Sequence, residues 1–240
     1  MSGAVEQAVI LVGGRGSRLG HLVENTPKPL LPVAGRPFLD YWLEFLTAQG
    51  VREIILSCGY LAGCFVDRYD QTKMGNASLS CFVEDAPAGT GGVLKLLADR
   101  LASRFLLLNG DSFTSVKLAE LHDAFAKHSP NCLAALNLVQ LTTAAGRYGK
   151  VECAANGSIT GFGEKQPADT GDLINAGFYL LDRKIATHST VPASLECDIL
   201  PQLAKQGKVC GLVNPGRLID IGTPADYAKA QIILPELIAE

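Results

Sequence analysis

The sequence predicts an α/β fold with a mixed, mostly parallel sheet. Three observations carry this. The run Ala8–Val12 is apolar at every position and stops at Gly13, as in a strand covered on both faces. Strand-like and helix-like patterns then alternate along the chain. Finally, a glycine-rich loop follows the run ending at Val12, and Asn109-Gly110-Asp111 stops the run ending at Leu108.

Taken in order, Ala8–Val12 is the first strand. Pro37–Gln49 reads as a helix, because Phe38, Leu39, Trp42, Phe45 and Leu46 share one face and Gly50 follows as a stop. Trp42 falls on that apolar face and is expected in the core. Glu53–Ser57 is a second strand, which completes a strand–loop–helix–strand crossover. Further strands are expected at Leu79–Val83 and Phe105–Leu108, with a helix over Gly91–Leu101 between them. Val116–Lys127 is an amphipathic helix and Asn131–Val139 a strand. Gly149–Cys153 and Ser158–Phe162 read as a hairpin. Phe178–Leu181, Val209–Val213 and Arg217–Ile221 are strands, and Leu195–Gln206 and Ala225–Leu234 are helices. With no linker, repeat or low-complexity segment in view, one Rossmann-like domain over residues 1–240 is expected.

Composition sets limits on function. The chain is 48% hydrophobic and 19% charged, which is globular rather than disordered. Its net charge of −3 is spread along the chain without a basic tract, which argues against nucleic-acid binding. There is no secretory leader pattern and no bilayer-length apolar run, so a soluble, cytoplasmic protein is expected. The seven cysteines form no C-x-x-C pair and read as small buried hydrophobes in a reducing compartment.

The first loop carries the chemistry. A P-loop needs a lysine directly after its last glycine, and none is there. A dinucleotide fingerprint needs glycine at position 19, which is Leu19, and an acidic end to the second strand, which is absent. Gly13, Gly14 and Gly16 still let backbone approach a ligand and point amides at an anion. Arg15, Arg18 and Lys28 add positive charge, and Pro27 and Pro29 stiffen the chain around Lys28. The same loop also reads as a tight turn with solvated arginines.

The match runs past the loop. "LVGGRGSRLG", then "TPKPLLPVAG", resembles the signature of the sugar-1-phosphate nucleotidyltransferases, L-A-G-G-x-G-[ST]-R-L followed by P-K-P-[ML]-x-P-[VI]. "GTGG" at Gly89–Gly92, "NGD" at Asn109–Asp111, "RYGKVE" at Arg147–Glu152, "GFGEK" at Gly161–Lys165, "INAGFYLLD" at Ile174–Asp182 and "LIDIGTPADYAKAQ" at Leu218–Gln231 follow in the family's order. The resemblance implies the nucleotidyltransferase, glycosyltransferase-A-like version of the fold, here without a left-handed β-helix tail. It also implies a nucleoside triphosphate and a sugar 1-phosphate as partners, and a divalent metal, Mg²⁺. In such enzymes a sugar phosphate oxygen attacks the α-phosphorus and pyrophosphate leaves, so catalysis rests on positioning and charge.

Carried over residue by residue, the resemblance places Val12 close to the base. Gly13, Gly14, Arg15, Gly16 and Ser17 would wrap the triphosphate. Arg18 would neutralise pyrophosphate and Lys28 would reach the α-phosphate. Asp111 and Asp220 would hold Mg²⁺, and Gly89 would let backbone meet the base. On the sugar side, Glu164 would take hydroxyls and Lys165 the phosphate, with Asn175, Gly177 and Gly149 beside the sugar. Two positions depart from the pattern: Val12 stands where alanine is common, and Ser17 where threonine is.

"PFLDYWLEFLTAQGVREIILSCGY", "APAGTGGVLK" and "SLECDILPQLA" narrow the resemblance to D-glycero-α-D-manno-heptose 1-phosphate guanylyltransferases, which make GDP-heptose for bacterial capsule or surface glycans. That group uses GTP, and short length is expected in it. The alternatives are a uridylyltransferase acting on N-acetylmuramic acid 1-phosphate or another hexose 1-phosphate, and a non-catalytic nucleotide-sugar-binding paralogue. Some relatives dimerise, so a homodimer is a further expectation.

Overall fold

The structure is a computed structural model. It describes residues 5–142 and 145–239, without the side chains of residues 145–147, 164–167 and 238–239. Its elements, in chain order, begin with β1 (Gln7–Leu11), β2 (Pro32–Val33), β3 (Arg36–Pro37), α1 (Phe38–Ala48), β4 (Glu53–Cys58), α2 (Ala62–Tyr69), β5 (Lys73–Met74) and β6 (Ala77–Val83). Then come α3 (Gly89–Leu96), β7 (Arg104–Asn109), β8 (Ser112–Thr114), α4 (Leu118–Lys127), β9 (Ala134–Gln140), β10 (Ala145–Cys153), β11 (Ile159–Ala168) and β12 (Leu173–Asp182). The chain finishes with α5 (Leu200–Lys205), β13 (Val209–Asn214), β14 (Leu218–Asp220) and α6 (Pro224–Ala239). The expected class, α/β with a mixed and mostly parallel sheet, is the one observed.

Two compact units share these elements. Unit 1 holds residues up to Pro87, Leu108–Ser115 and everything from Leu218; unit 2 holds Ala88–Leu107 and Val116–Arg217. Strand β7 begins in unit 2 and ends in unit 1.

In unit 1, β1, β4 and β6 pair in parallel, from Gln7↔Glu53 to Leu11↔Ser57 and from Glu53↔Ser78 to Cys58↔Val83. Ala8, Val9, Ile10, Ile54, Ile55 and Leu56 have no exposed surface. Burial on both faces is why these strands read as apolar runs. Helix α1 buries Phe38, Leu39, Trp42 and Leu46 of the stripe its spacing predicts, and Tyr41 and Leu43 besides, while the predicted Phe45 is only half-buried. A two-stranded ribbon, β8 antiparallel to β14, pairs Ser112 with Asp220.

In unit 2, β12 runs antiparallel to β9 from Leu173↔Gln140 to Leu181↔Ala134, and β10 is antiparallel to β11 and to β12. Strand β13 is parallel to β9. The predicted hairpin is therefore real but longer on both arms. Helix α3 is shorter than predicted and stops at Leu96. The polar Asp99 and Arg100 follow in a turn closed by Arg100 N–H on Leu97 C=O. Segment Leu195–Ile199 forms a π-helical turn before α5. All seven cysteines are free thiols. Cys58, Cys132 and Cys210 are buried, as expected, whereas Cys64, Cys81 and Cys153 are half-buried and Cys197 is exposed. Among the described residues no helix is long and apolar enough to cross a membrane.

Candidate active site

The loop after β1 is shaped by three glycines for three different reasons. Val12 is buried and extends the ladder by donating its N–H to Ser57 C=O at 2.9 Å. Gly13 then crosses the chain after β4: a methyl group there would lie 3.0 Å from Gly59 N and 3.3 Å from Glu84 Oε1. The Gly13 carbonyl accepts the Tyr60 N–H at 3.1 Å. Gly13 is therefore demanded by the crossing of two backbones. Gly14 faces open space, the condition for close approach of a ligand. Gly16 has φ +63° and starts the helical turn Ser17–Val23. Arg15, Ser17 and Arg18 are exposed, and the Arg15 guanidinium lies 5.8 Å from the Tyr60 ring centre. Leu19 and Val23 anchor the turn by packing on Leu31, with Tyr227 of α6 against them.

Lys28 opens the turn Lys28–Leu30 between Pro27 and Pro29 and is only 5% exposed. Its Nζ lies 2.7 Å from Asp111 Oδ2 and 3.7 Å from Asp220 Oδ1. A buried ammonium needs such partners, since a lone charge would lose its hydration without compensation. Asp111 follows Gly110, whose N–H bonds Leu11 C=O at 2.9 Å and where a methyl group would lie 2.8 Å from Val12 Cγ1. Asp220 is brought across by the β8–β14 ribbon, and its Oδ1 accepts the Gly222 N–H. A methyl group on Gly222 would meet Asp220 Oδ1 at 2.7 Å, Lys28 Nζ at 3.3 Å and an Arg18 guanidinium nitrogen at 3.4 Å. Arg18, Lys28, Asp111 and Asp220 thus meet beside one bare backbone position. Leu11, Val12, Gly14, Gly16, Lys28, Pro29 and Asp111 line a cavity of about 40 Å³ there.

Two residues outside the predicted set hold this arrangement. Trp42 donates its indole N–H to Ser112 C=O at 2.6 Å, one residue past Asp111. Gly222 supplies the space just described. It lies in the quoted "DIGTP", but nothing in its local pattern singles it out.

The donor set fits Mg²⁺. Asp111 and Asp220 already share one cation, the Lys28 ammonium, so their oxygens converge on one place. Asp111 keeps 44% of its side chain exposed and Asp220 14%. Among the described residues no three His, Cys, Asp or Glu side chains gather at a point. One or two carboxylates, completed by water and phosphate oxygens, is the manner in which Mg²⁺ is held.

The remaining predicted positions belong to unit 2. Gly89 has φ +75°, and a side chain there would strike the Ala193 carbonyl, which accepts the N–H groups of Gly91 and Gly92 at 2.9 and 3.1 Å. Packing alone thus requires this glycine. Gly149 in β10 approaches Gly163 C=O, with 3.3 Å for a methyl group. Asn175 Oδ1 accepts the N–H of Gly177, which has φ +69°. Glu164 and Lys165 lie on β11, but their side chains fall outside the described residues.

Known proteins resemble this chain over most of its length. The chain is 33% identical over 229 residues to a probable mannose-1-phosphate guanylyltransferase 2 of Oryza sativa subsp. japonica, which covers 92% of this chain and 62% of that protein. It thus spans less than two thirds of that relative's length. It is 32% identical over 228 residues to the D-glycero-alpha-D-manno-heptose 1-phosphate guanylyltransferase of Aneurinibacillus thermoaerophilus, covering 94% of this chain and 96% of that one. The crystal structure of HddC from Yersinia pseudotuberculosis complexed with GMP-PN superposes with a TM-score of 0.78 at 32% identity, over 96% of this chain and 100% of that one. The family model described as nucleotidyl transferase matches residues 7–236, and the chain belongs to that family.

Proposed function

We propose that this protein transfers a guanylyl group from GTP to D-glycero-α-D-manno-heptose 1-phosphate, giving GDP-heptose and pyrophosphate. The observation that carries the reading is the meeting of Arg18, Lys28, Asp111 and Asp220 next to the open Gly14 backbone. Cations and paired carboxylates in one place suit a reaction between two phosphate anions. The names of the relatives favour guanine and a manno-configured sugar. Mannose 1-phosphate is the second reading, favoured by the rice relative.

In the reaction, a phosphate oxygen of the sugar 1-phosphate forms a bond to the α-phosphorus as the bond to pyrophosphate breaks. The amides around Gly14 bind the triphosphate, and Ser17 lies at the start of the next turn. Lys28 neutralises charge on the α-phosphate, and Arg18, with Arg15, takes the leaving pyrophosphate. Held by Asp111 and Asp220, Mg²⁺ would screen phosphate charge. On the base side, Glu84 directly follows β6, accepts a hydrogen bond from Ser57 Oγ at 2.8 Å and lies against Gly13. A carboxylate accepts but never donates when ionised, which suits the adjacent N1–H and N2–H groups of guanine. Glu164, Lys165, Asn175, Gly177 and Gly149 would receive the sugar phosphate. The product is an activated donor for glycan assembly.

The test is pyrophosphate release with Mg²⁺, crossing GTP, UTP, CTP, ATP and dTTP with the 1-phosphates of heptose, mannose, glucose and N-acetylmuramic acid. Turnover with GTP and the heptose phosphate supports the reading. Preference for mannose 1-phosphate selects the second. Turnover with UTP and the muramic acid phosphate overturns the base and sugar assignment, and no release from any pair overturns the activity.

A further inference from the structure

A chain of hydrogen bonds in unit 2 centres on Glu196, in the π-helical turn Leu195–Ile199. Its Oε2 accepts from Thr90 Oγ1 at 2.6 Å and from Ser194 Oγ at 3.2 Å. Its Oε1 accepts from the Tyr179 hydroxyl at 3.0 Å. The Tyr179 oxygen accepts from Asn175 Nδ2 at 2.8 Å, and Asn175 Oδ1 accepts from Gly177 N–H at 3.0 Å. Thr90 Oγ1 in turn accepts the Leu195 N–H at 2.9 Å. Thr90 follows Gly89 directly.

The polarity of this chain is forced from one end. An ionised carboxylate only accepts, so all three hydroxyls, of Thr90, Ser194 and Tyr179, must point their hydrogens at Glu196. The single Tyr179 proton is then committed, and its oxygen can only accept. Asn175 must therefore turn its NH₂ toward Tyr179, which leaves Oδ1 for the Gly177 N–H. Tyr179 has no exposed surface. Burial, then the Glu196 charge, pushes its phenol well above the ordinary range and keeps the proton in place.

We propose that Glu196 is a positioning residue. Its carboxylate sets the orientation of the Asn175 amide through Tyr179 and fixes Thr90, so that one side chain orders residues assigned to the sugar and to the nucleotide. The inference rests on the guanylyltransferase reading for what Asn175 and Gly89 bind; the hydrogen-bond chain itself does not. Replacing the carboxylate by an amide removes the constraint. In Glu196→Gln the new NH₂ group could donate to the Tyr179 oxygen, which would send the phenol proton to Asn175 and turn the Asn175 NH₂ against the Gly177 N–H.

The experiment combines an NMR readout with kinetics on the full chain. The side-chain NH₂ signals of Asn175 are identified by their loss in Asn175→Asp and then followed in Glu196→Gln, Glu196→Asp, Tyr179→Phe and Thr90→Val. Glu196→Gln and Tyr179→Phe should shift those signals, and Thr90→Val should not. In turnover, Tyr179→Phe should raise KM for the sugar phosphate roughly tenfold with KM for GTP little changed, and Thr90→Val should do the reverse. Glu196→Gln should raise both, and Glu196→Asp should recover part of each. Unmoved Asn175 signals in folded Glu196→Gln would overturn the proposal whatever the kinetics. Shifted signals with both KM values unchanged would also overturn it and leave only a stabilising contact. A wild type inactive with every substrate pair, yet showing the Asn175 shift, would overturn the substrate reading and with it the assigned roles, while the forced amide orientation would stand.

Discussion

Lys28 Nζ stands 2.7 Å from Asp111 Oδ2 and 3.7 Å from Asp220 Oδ1, so one buried cation ties together two acids far apart in the sequence. Removing it leaves two carboxylates facing each other and, on the proposed reading, takes a positive charge from the α-phosphate. Lys28→Ala should lower kcat roughly a hundredfold or more, equivalent to about 2.7 kcal/mol of transition-state stabilisation. The KM for GTP should change much less. A matching loss in ground-state GTP binding, measured by calorimetry, would instead assign Lys28 to uniform binding.

The same geometry makes a statement about metal. EDTA should abolish turnover and Mg²⁺ should restore it. Asp111→Asn and Asp220→Asn should each shift half-saturation to higher Mg²⁺. Direct Mn²⁺ binding followed by electron paramagnetic resonance should weaken in both variants. Full turnover after exhaustive chelation would remove metal from the mechanism.

Much of the frame is legible in the sequence. The strand Ala8–Ile10 is buried on both faces, so it has to be apolar at every position. Helix α1 buries one stripe, so its spacing shows. The convergence of Asp111 and Asp220 is legible only through a family resemblance. It depends on the three-residue strands β8 and β14, too short to carry a period, pairing across a long stretch of sequence. Helix α2 escapes the pattern because it buries only Phe65 and Tyr69 and begins near Gly63. Gly13 reads as a ligand glycine, whereas the crossing with Gly59 explains it, and such a contact leaves no local trace. Glu84 and Glu196 look like any surface acid until their partners are seen.

Helix spacing alone puts Trp42 in the core, but its N–H also reaches Ser112 C=O at 2.6 Å. Trp42→Phe keeps an aromatic ring against Phe113 and removes that donor. Loss of the bond and an unsatisfied carbonyl should cost about 2 kcal/mol, or roughly 4–8 °C in Tm for a chain of this size. Because Ser112 follows Asp111, kcat should fall as well, which a thermal melt paired with kinetics at low temperature would separate.

Gly222 tests crowding without backbone strain. Its φ lies outside the left-handed region, so alanine fits the backbone, but the methyl group would press on Asp220 Oδ1 and approach Lys28 and Arg18. Gly222→Ala should move Tm little and lower kcat on the order of a hundredfold by displacing the acid and the cations. A large drop in Tm with normal kcat in the folded fraction would show that the position matters for folding instead.

Glu84 offers the sharpest check on the base. Its carboxylate is held by Ser57 Oγ at 2.8 Å and lies beside Gly13, where the loop after β1 begins. If it accepts the two adjacent N–H groups of guanine, the contact is charge-assisted, and its loss should cost roughly tenfold to a hundredfold in kcat/KM for GTP. Glu84→Gln keeps the size and one acceptor, so the fold should survive with Tm close to wild type. Uracil has no such pair of donors, and turnover with UTP should stay level or rise. Equal losses with GTP and UTP would mean that Glu84 supports the Gly13–Gly59 crossing and that guanine is read elsewhere.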